Sequence, residues 1–227
     1  MPNDELAGRV LKGTTTIGIV CSDGIVMGAD SRASMELGGF EMPALVSSKE
    51  AVKVYKIDEN LGMTIAGEVG FAIYMVKQLK VQNELYKMNE NRPMSPGAAS
   101  ALVSLILQDN KWPLLSSGEG LVVQFIIGGL DNNTPELYYL DPYDGAVKET
   151  KFFSSGSGST TALGYLENIY AQGMTTEEGV RHAVKALQTA MKRDSATGNE
   201  IRIVAITKKG FKEYTKEELE ALKGAGK

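Results

Sequence analysis

The junction between Gly13 and Thr14 is the part of the sequence best suited to chemistry. Three consecutive threonines begin at Thr14. If the chain is cut before Thr14, that residue carries a free α-amine beside its own hydroxyl. The hydroxyl can then act as a nucleophile and the amine as its base, a variant of the usual nucleophile and base pair. Three threonines also suit the edge of a β-strand, so the junction predicts either an N-terminal nucleophile or a plain strand edge.

An N-terminal nucleophile of this kind requires a lysine near its amine. A free α-amine has a pKa of roughly 7.7 to 8.0, so only a minor fraction is neutral at pH 7. A neighbouring lysine cation that lowered this pKa by about one unit would leave roughly half or more of the amine able to accept the hydroxyl proton. We therefore expect one buried lysine, held in place by carboxylates.

Other common catalytic arrangements are poorly represented in the chain. It contains one histidine, His182, and one cysteine, Cys21, which excludes an internal disulfide and a zinc site built from Cys and His. His182 lies mid-helix between two valines and Cys21 lies inside an apolar strand, so we expect both to have packing roles. The Gly/Ser segment at residues 154–159 lacks the Lys-Ser or Lys-Thr pair of a phosphate loop.

Length and composition indicate one globular domain. The 227 residues are 43% hydrophobic and 23% charged, with a net charge of −4, enough chain to bury a substantial core. The mild acidity argues against nucleic acid or an anionic membrane as a partner. The first thirteen residues lack the apolar core of a secretory signal, and no apolar stretch has the length of a membrane span. We therefore expect a cytoplasmic protein.

The elements that must position these residues fall into clusters of strands and clusters of helices. This order, without βαβ alternation, predicts an α+β fold in which helices cover the outer faces of two antiparallel sheets. Ser95 and Pro96 predict one helix start, and capping boxes predict two more, at Thr175 with Glu178 and at Thr215 with Glu218. Strands are predicted at residues 14–21, 25–29, 52–58, 63–68, 121–130, 136–141, 146–153 and 201–207, and helices at about 70–91, 95–110, 160–171, 175–193 and after 215.

Five motifs occur together along this chain, in one order and at characteristic spacing. They are G-T-T-T-I-G-I-V at 13–20, G-A-D-S-R-A at 28–33, T-I-A-G-E-V-G at 64–70, S-G-S-G-S at 155–159 and R-D-S-A-T-G at 193–198. Each motif alone is weak, but the five in register cover almost the whole chain. The sequence therefore resembles the proteasome β-subunits, N-terminal-nucleophile threonine proteases, and is most similar to the archaeal type.

The resemblance implies a fold, an activity and a set of partners. The fold is a four-layer αββα sandwich, with residues 1–13 as a propeptide removed by autocatalysis and 14–227 as one protease domain. The activity is that of a threonine endopeptidase on unfolded polypeptides, with no cofactor and no metal. The partners are other β-subunits in seven-membered rings, stacked between α-subunit rings, with an ATPase regulator that delivers the substrate.

The resemblance also assigns site residues one by one. Gly67 would donate its backbone N–H to the oxyanion, and Thr197 stands where the family usually has serine. Taken singly, each position also has a structural explanation, such as a turn at Asp30 or a bulge at Gly67. For the lysine, Lys49 and Lys56 are rivals of Lys53. The catalytic set is Thr14 as nucleophile, Asp30 holding Lys53, and Ser157, Asp194 and Thr197 around the threonine amine.

The substrate pocket is the region where the chain departs from the family pattern. By comparison with the family, Ala33, Ala51, Ile65 and Val69 line the pocket for the side chain before the cut bond. All four are apolar, which predicts cleavage after hydrophobic residues. The loop at residues 38–44, however, makes this region about seven residues longer than the family pattern and borders the same pocket.

Two other functions remain open on the sequence. A non-catalytic β-subunit could keep the fold and serve ring assembly, and the longer loop supports that alternative. An N-terminal-nucleophile amidohydrolase acting on small amides would use the same nucleophile. The identity of the first residue in the assembled protein separates the first alternative from a protease, and the choice of substrate separates the second.

Overall fold

Two antiparallel five-stranded sheets lie face to face, with helices on both outer faces. The computed structural model describes residues 13–35, 45–116 and 122–224. Within them the strands are β1 (Thr16–Cys21), β2 (Gly24–Asp30), β3 (Ala33–Met35), β4 (Leu45–Ser48), β5 (Val54–Asp58), β6 (Leu61–Gly67), β7 (Val123–Asp131), β8 (Thr134–Asp141), β9 (Gly145–Glu149), β10 (Phe152–Ser155), β11 (Ile201–Thr207) and β12 (Gly210–Glu213). The helices are α1 (Val69–Glu90), α2 (Pro96–Ser116), α3 (Ser159–Ile169), α4 (Thr176–Arg193) and α5 (Lys216–Gly224).

The strand order places the two ends of the chain in one sheet and its middle in the other. The first sheet has the order β10-β1-β2-β11-β12, and the second has the order β5-β6-β7-β8-β9. All pairings within both sheets are antiparallel. β3 and β4 form a separate two-stranded ribbon.

Three layers of apolar packing hold the sheets and helices together. Between the sheets, side chains of β2 and β11 meet those of β7 and β8. The outer face of the second sheet packs against α1 and α2, and that of the first packs against α3 and α4. Burial of this apolar surface is the main favourable contribution to folding. The predicted four-layer αββα arrangement of an α+β fold is therefore confirmed.

The predicted helix starts are also present. Thr175 accepts a hydrogen bond from the Glu178 N–H while the Glu178 side chain accepts from the Thr175 N–H, which completes the capping box of α4. Thr215 and Glu218 make the same two bonds at α5. The Ser95 hydroxyl accepts from the Ala98 N–H at the start of α2, and α2 runs six residues further than predicted.

The strand predicted at residues 146–153 is wrong, because this segment forms two strands in different sheets. β9 ends at Glu149, which pairs with Leu137 of the second sheet. β10 begins at Phe152, which pairs with Ile19 of the first sheet. The chain crosses between the sheets at residues 150 and 151, where it has neither glycine nor proline to mark a turn.

Some predicted features differ in extent or lie outside the described residues. β5 and β6 are shifted by about two residues from the predicted strands, and β3, β4 and β12 were not predicted as separate strands. The longer loop at residues 38–44 and most of the predicted propeptide, residues 1–12, lie outside the described part of the chain. Among the described residues, no helix combines the length and apolar character needed to cross a membrane.

Candidate active site

Thr14 lies two residues before the start of β1, and its side chain is buried. Its hydroxyl donates a hydrogen bond to the Gly13 carbonyl oxygen at 2.7 Å. Its backbone N–H donates to the Ser157 hydroxyl oxygen at 3.2 Å. The structure thus holds the hydroxyl beside the carbonyl that it would have to attack.

A buried lysine stands next to this junction, as an N-terminal nucleophile requires. Lys53 Nζ lies 2.8 Å from Asp30 Oδ1, and the two side chains are only 6% and 0% exposed. Lys53 Nζ also donates to the carbonyl oxygens of Arg32 at 2.5 Å and Gly13 at 3.3 Å. These three acceptors match the three N–H donors of an ammonium group. Burial lowers the pKa of Lys53, and the Asp30 carboxylate opposes that shift.

Asp30 is fixed by backbone as well as by the lysine. Its Oδ1 accepts from the Thr15 N–H at 2.9 Å, and its Oδ2 accepts from the N–H groups of Arg32 and Gly198, both at 3.0 Å. Asp30 is therefore held as the counterion of Lys53 by three separate segments of the chain.

The two rival lysines lie elsewhere. Lys49 is exposed, and only its carbonyl oxygen takes part locally, accepting from the Ser31 hydroxyl at 2.6 Å. Lys56 is also exposed and pairs with Glu59. Lys53, by contrast, is buried, although it lies only three residues before Lys56. Of the three, the structure puts Lys53 at the threonine.

A second group of hydroxyls surrounds the other side of Thr14. The Ser157 hydroxyl donates to Asp194 Oδ2 at 2.5 Å, and the Thr197 hydroxyl donates to the same oxygen at 2.5 Å. Thr197 also shares a 2.7 Å hydrogen bond with the Thr15 hydroxyl. Asp194 is anchored by the Ala196 N–H, which donates to its Oδ1 at 3.0 Å. The Thr197 hydroxyl thus contacts Asp194 and Thr15; its role at the Thr14 amine remains a prediction.

Gly67 ends β6 beside the same junction. Its φ of +93° lies in the region that favours glycine, and a Cβ placed there would lie 2.1 Å from the Val122 carbonyl oxygen. Gly67 and Thr14 both line the cavity at this edge. This close approach explains why glycine is needed at the position. The role of its N–H as an oxyanion donor remains a prediction.

An apolar cavity of about 490 Å³ opens next to Thr14 and Lys53. The four residues predicted for the pocket all border it: Ala33, Ala51, Ile65 and Val69. Sequence reasoning missed several others, although two followed from periodicity: Tyr55 lies two residues after Lys53 on β5, and Ile73 lies one turn after Val69 on α1. The β4 residues Ser47 and Ser48, which also line the cavity, had no such signal.

Arg32 is a further residue that sequence reasoning missed. Its guanidinium donates to Asn199 Oδ1 at 2.8 Å and to the Ser195 carbonyl oxygen at 2.6 Å. It therefore ties the segment carrying Asp194 to the strand end carrying Asp30. The signal was its place in the motif G-A-D-S-R-A, two residues after Asp30.

The lone histidine and cysteine lie apart from this site. His182 of α4 is hydrogen-bonded through Nδ1 to the Tyr165 hydroxyl at 3.0 Å, and burial lowers its pKa. Cys21 is buried in β1, and burial raises the pKa of its thiol to about 12, so it is no thiolate at neutral pH. Among the described residues, no group of His, Cys, Asp and Glu side chains could hold a metal ion.

Comparison with known proteins agrees with these features. A sequence profile of the family described as proteasome subunit matches residues 10–206. The proteasome subunit beta of Methanosarcina mazei is 42% identical over 221 residues, or 97% of each chain. Those of Methanohalophilus mahii (44% over 213 residues, 93% of each chain) and Methanocaldococcus fervens (43% over 215 residues, 94% of this chain and 90% of the relative) are similarly close. The chain therefore belongs to the proteasome subunit family, among its β-subunits.

Proposed function

We propose that this chain is a catalytic proteasome β-subunit, a threonine endopeptidase whose nucleophile is Thr14. The observation that carries the proposal is the surroundings of the Thr14 hydroxyl and nitrogen. The Lys53–Asp30 pair lies on one side and the Ser157–Asp194 pair on the other. A subunit kept only for assembly has no need of a buried ion pair beside this threonine.

The first reaction is removal of residues 1–13. The Thr14 hydroxyl oxygen attacks the Gly13 carbonyl carbon, the bond between that carbon and the Thr14 nitrogen breaks, and the hydroxyl proton ends on the freed amine. Water then hydrolyses the ester, which releases a Gly13 carboxylate and restores the hydroxyl. Lys53 Nζ already contacts the Gly13 carbonyl oxygen and favours negative charge on it.

Peptide hydrolysis repeats this chemistry on a substrate. The free amine of Thr14 takes the hydroxyl proton, the oxygen forms an ester with the substrate acyl group, and the departing amine receives the proton. Water attacks the ester with the same amine as base. The Lys53 cation lowers the pKa of the amine and keeps it neutral more of the time, while the Gly67 N–H stabilises the oxyanion.

The cavity lining supports cleavage after hydrophobic residues of unfolded polypeptides. The predicted lining side chains are apolar, and Tyr55 and Ile73 extend the apolar surface. We further propose that the subunit assembles into seven-membered β-rings between α-subunit rings in the cytoplasm, with substrate delivered by an ATPase. This arrangement follows from the family resemblance. The proposal requires no cofactor and no metal.

Intact mass and peptidase assays on the assembled protein test the proposal. The wild type should begin at Thr14 and cleave fluorogenic peptides with a hydrophobic residue before the bond. Thr14→Ala should keep residues 1–13 and lose activity, because removal of a covalent nucleophile costs on the order of 10⁶-fold in rate. Thr14→Ser, which keeps a hydroxyl, is the matched control and should retain both reactions.

Each alternative gives a different result. An assembled wild type that still begins at Met1 would identify a non-catalytic subunit. A processed wild type that hydrolyses small amides but not peptides would identify an amidohydrolase. Peptidase activity that survives in Thr14→Ala would show that another residue is the nucleophile.

A further inference from the structure

A line of hydrogen bonds runs from the second sheet to the loop beside Thr14. The Tyr139 hydroxyl donates to Asp141 Oδ2 at 2.6 Å. Gln124 Nε2 donates to the Tyr139 hydroxyl oxygen at 3.0 Å. The Gly156 N–H in turn donates to Gln124 Oε1 at 3.0 Å. Four groups from β7, β8 and the loop at residues 156–158 are thus connected in sequence.

The chemistry of these groups fixes the direction of each bond. A phenol has a single O–H, and Tyr139 uses it toward the Asp141 carboxylate, so its oxygen is left to accept. Burial and the nearby carboxylate raise the pKa of Tyr139, so the phenol keeps this proton at neutral pH. Gln124 must therefore turn its NH₂ toward Tyr139 and its oxygen toward Gly156. The opposite amide orientation would set NH₂ against the Gly156 N–H.

Gly156 is held just as firmly on its other side. Its φ is +90°, and a Cβ placed on it would lie 2.1 Å from the Thr14 carbonyl oxygen. The Gly158 N–H donates to that same oxygen at 3.4 Å. Gly156 therefore lies between Thr14 and the Gln124 amide. Ser157, whose oxygen accepts from the Thr14 nitrogen, is the very next residue.

Gln124 also lies on the strand beside the predicted oxyanion donor. In the pairing of β6 with β7, Gln124 is opposite Ala66, the residue before Gly67. Ser157, by contrast, follows β10 of the first sheet. The amide of Gln124 thus connects the loop beside the Thr14 nitrogen to β7, the strand that pairs with the one carrying Gly67.

We propose that Gln124 is a positioning residue, which sets the Ser157 hydroxyl against the Thr14 nitrogen by holding the Gly156 N–H. The inference rests on the proposed function, and it concerns a residue outside the cavity lining. Gln124 touches neither substrate nor reacting atoms, so it acts through the loop. Its loss should slow the chemical step and leave substrate binding unchanged.

Three variants of the assembled protein test the proposal. Gln124→Leu removes the acceptor for Gly156 and should lower kcat by about 10- to 100-fold, the effect of a displacement of up to 1 Å at a reacting group. KM for a hydrophobic peptide should change less than about twofold. Gln124→Glu keeps the oxygen acceptor for the Gly156 N–H but loses the donor to Tyr139, so it should recover part of the kcat lost in Gln124→Leu. Tyr139→Phe removes the hydroxyl that orients the amide, and its kcat should lie between those of Gln124→Leu and Gln124→Glu.

Gln82→Leu, the same exchange at a half-buried glutamine of α1, is the matched control and should match the wild type. Intact mass and unfolding midpoints are measured on every variant. Retention of residues 1–13 in Gln124→Leu but not in Gln124→Glu also supports the proposal, because the same loop surrounds Thr14 before cleavage.

Two results would overturn the proposed role of Gln124: an unchanged kcat in Gln124→Leu, or equal losses of kcat in Gln124→Leu and Gln124→Glu. The proposed function fails separately, through an active Thr14→Ala variant. Failure of the Gln124 series with an inactive Thr14→Ala would leave the threonine mechanism standing.

Discussion

Lys53 and Asp30 form an ion pair that is almost completely removed from water. Burying two charges has a large desolvation cost, so such a pair is weak evidence for stability by itself. Its partners are instead arranged around the Gly13–Thr14 junction. We infer that the pair is kept for its charge at this point, where the proposed mechanism requires a cation that lowers the pKa of the Thr14 amine.

Replacing Lys53 should affect stability and chemistry together. Lys53→Met leaves Asp30 buried without its counterion, so the free energy of unfolding should fall by about 3–5 kcal/mol. The variant should also keep residues 1–13 and show no peptidase activity. Urea unfolding, intact mass and peptidase assays measure these effects. Lys56→Met, at the exposed rival lysine, should change stability by less than about 0.5 kcal/mol and leave activity intact. An active Lys53→Met variant would refute the role.

For individual residues, the sequence motifs identify most of the candidate site. They miss residues that only the fold brings next to it. Thr14 and Asp30 are recognisable because each lies within a short motif, whereas Lys53 is assigned only through the family resemblance. Gln124 carries no such signal, because its contact with Gly156 joins segments 32 residues apart. Hydrogen bonds between separate sheets depend on how the sheets stack, which local sequence does not encode.

Helix α4 begins at a capping box and ends at Asp194, a residue of the candidate site. Its N-terminus is closed by the capping box of Thr175 and Glu178, and its C-cap is Asp194. Asp23, in the β1–β2 turn, also accepts from the Thr176 N–H at 2.7 Å. The N-terminal end of the helix is thus anchored to the β1–β2 turn, and its C-terminal end places Asp194 beside the loop at residues 156–158.

Removing the cap should therefore cost stability without harming the site. Thr175→Ala removes the acceptor for the Glu178 N–H, and the free energy of unfolding should fall by about 1 kcal/mol. The kcat should stay at the wild-type value, because the other end of the helix is fixed by its own contacts. Chemical denaturation and peptidase kinetics give the two numbers. Thr175→Ser restores the hydroxyl and should restore stability. A large drop in kcat in Thr175→Ala would contradict the separation of the two ends.

The starts of several helices were predictable from the sequence, but the assignment of each strand to one of the two sheets was not. Capping residues act within one turn, so Ser95, Thr175 and Thr215 mark their helices locally. The division into β9 and β10 has no local mark, because neither residue 150 nor residue 151 is a glycine or a proline. Only the pairing of Glu149 and Phe152 with different sheets separates them.

The two sheets approach closely where glycines face large side chains. A Cβ added at Gly18 of β1 would lie 2.7 Å from Leu137 Cδ1 of β8. Leu137 itself is fully buried in the layer between the sheets. The spacing of the whole sandwich at this point thus depends on the absence of one methyl group.

Overpacking this layer should be measurable in the whole domain. Gly18→Ala should lower the free energy of unfolding by about 1–3 kcal/mol. In a Leu137→Ala background the same change should cost less, with a coupling of about 0.5–3 kcal/mol in a double-mutant cycle. Gly164→Ala, on α3 where an added Cβ meets nothing within 4 Å, is the control and should stabilise by about 0.5–1 kcal/mol. Strict additivity of Gly18→Ala and Leu137→Ala would contradict direct contact.

The strand order of the first sheet has a consequence for synthesis on the ribosome. β1 and β2 are among the first segments translated, but their sheet neighbours, β10 and β11, begin only at Phe152 and Ile201. Asp194 and Thr197 likewise emerge when most of the chain has been made. Thr14 is therefore translated long before the residues that surround it in the folded domain. Translation order therefore delays assembly of the proposed site around Thr14 until the domain is nearly complete.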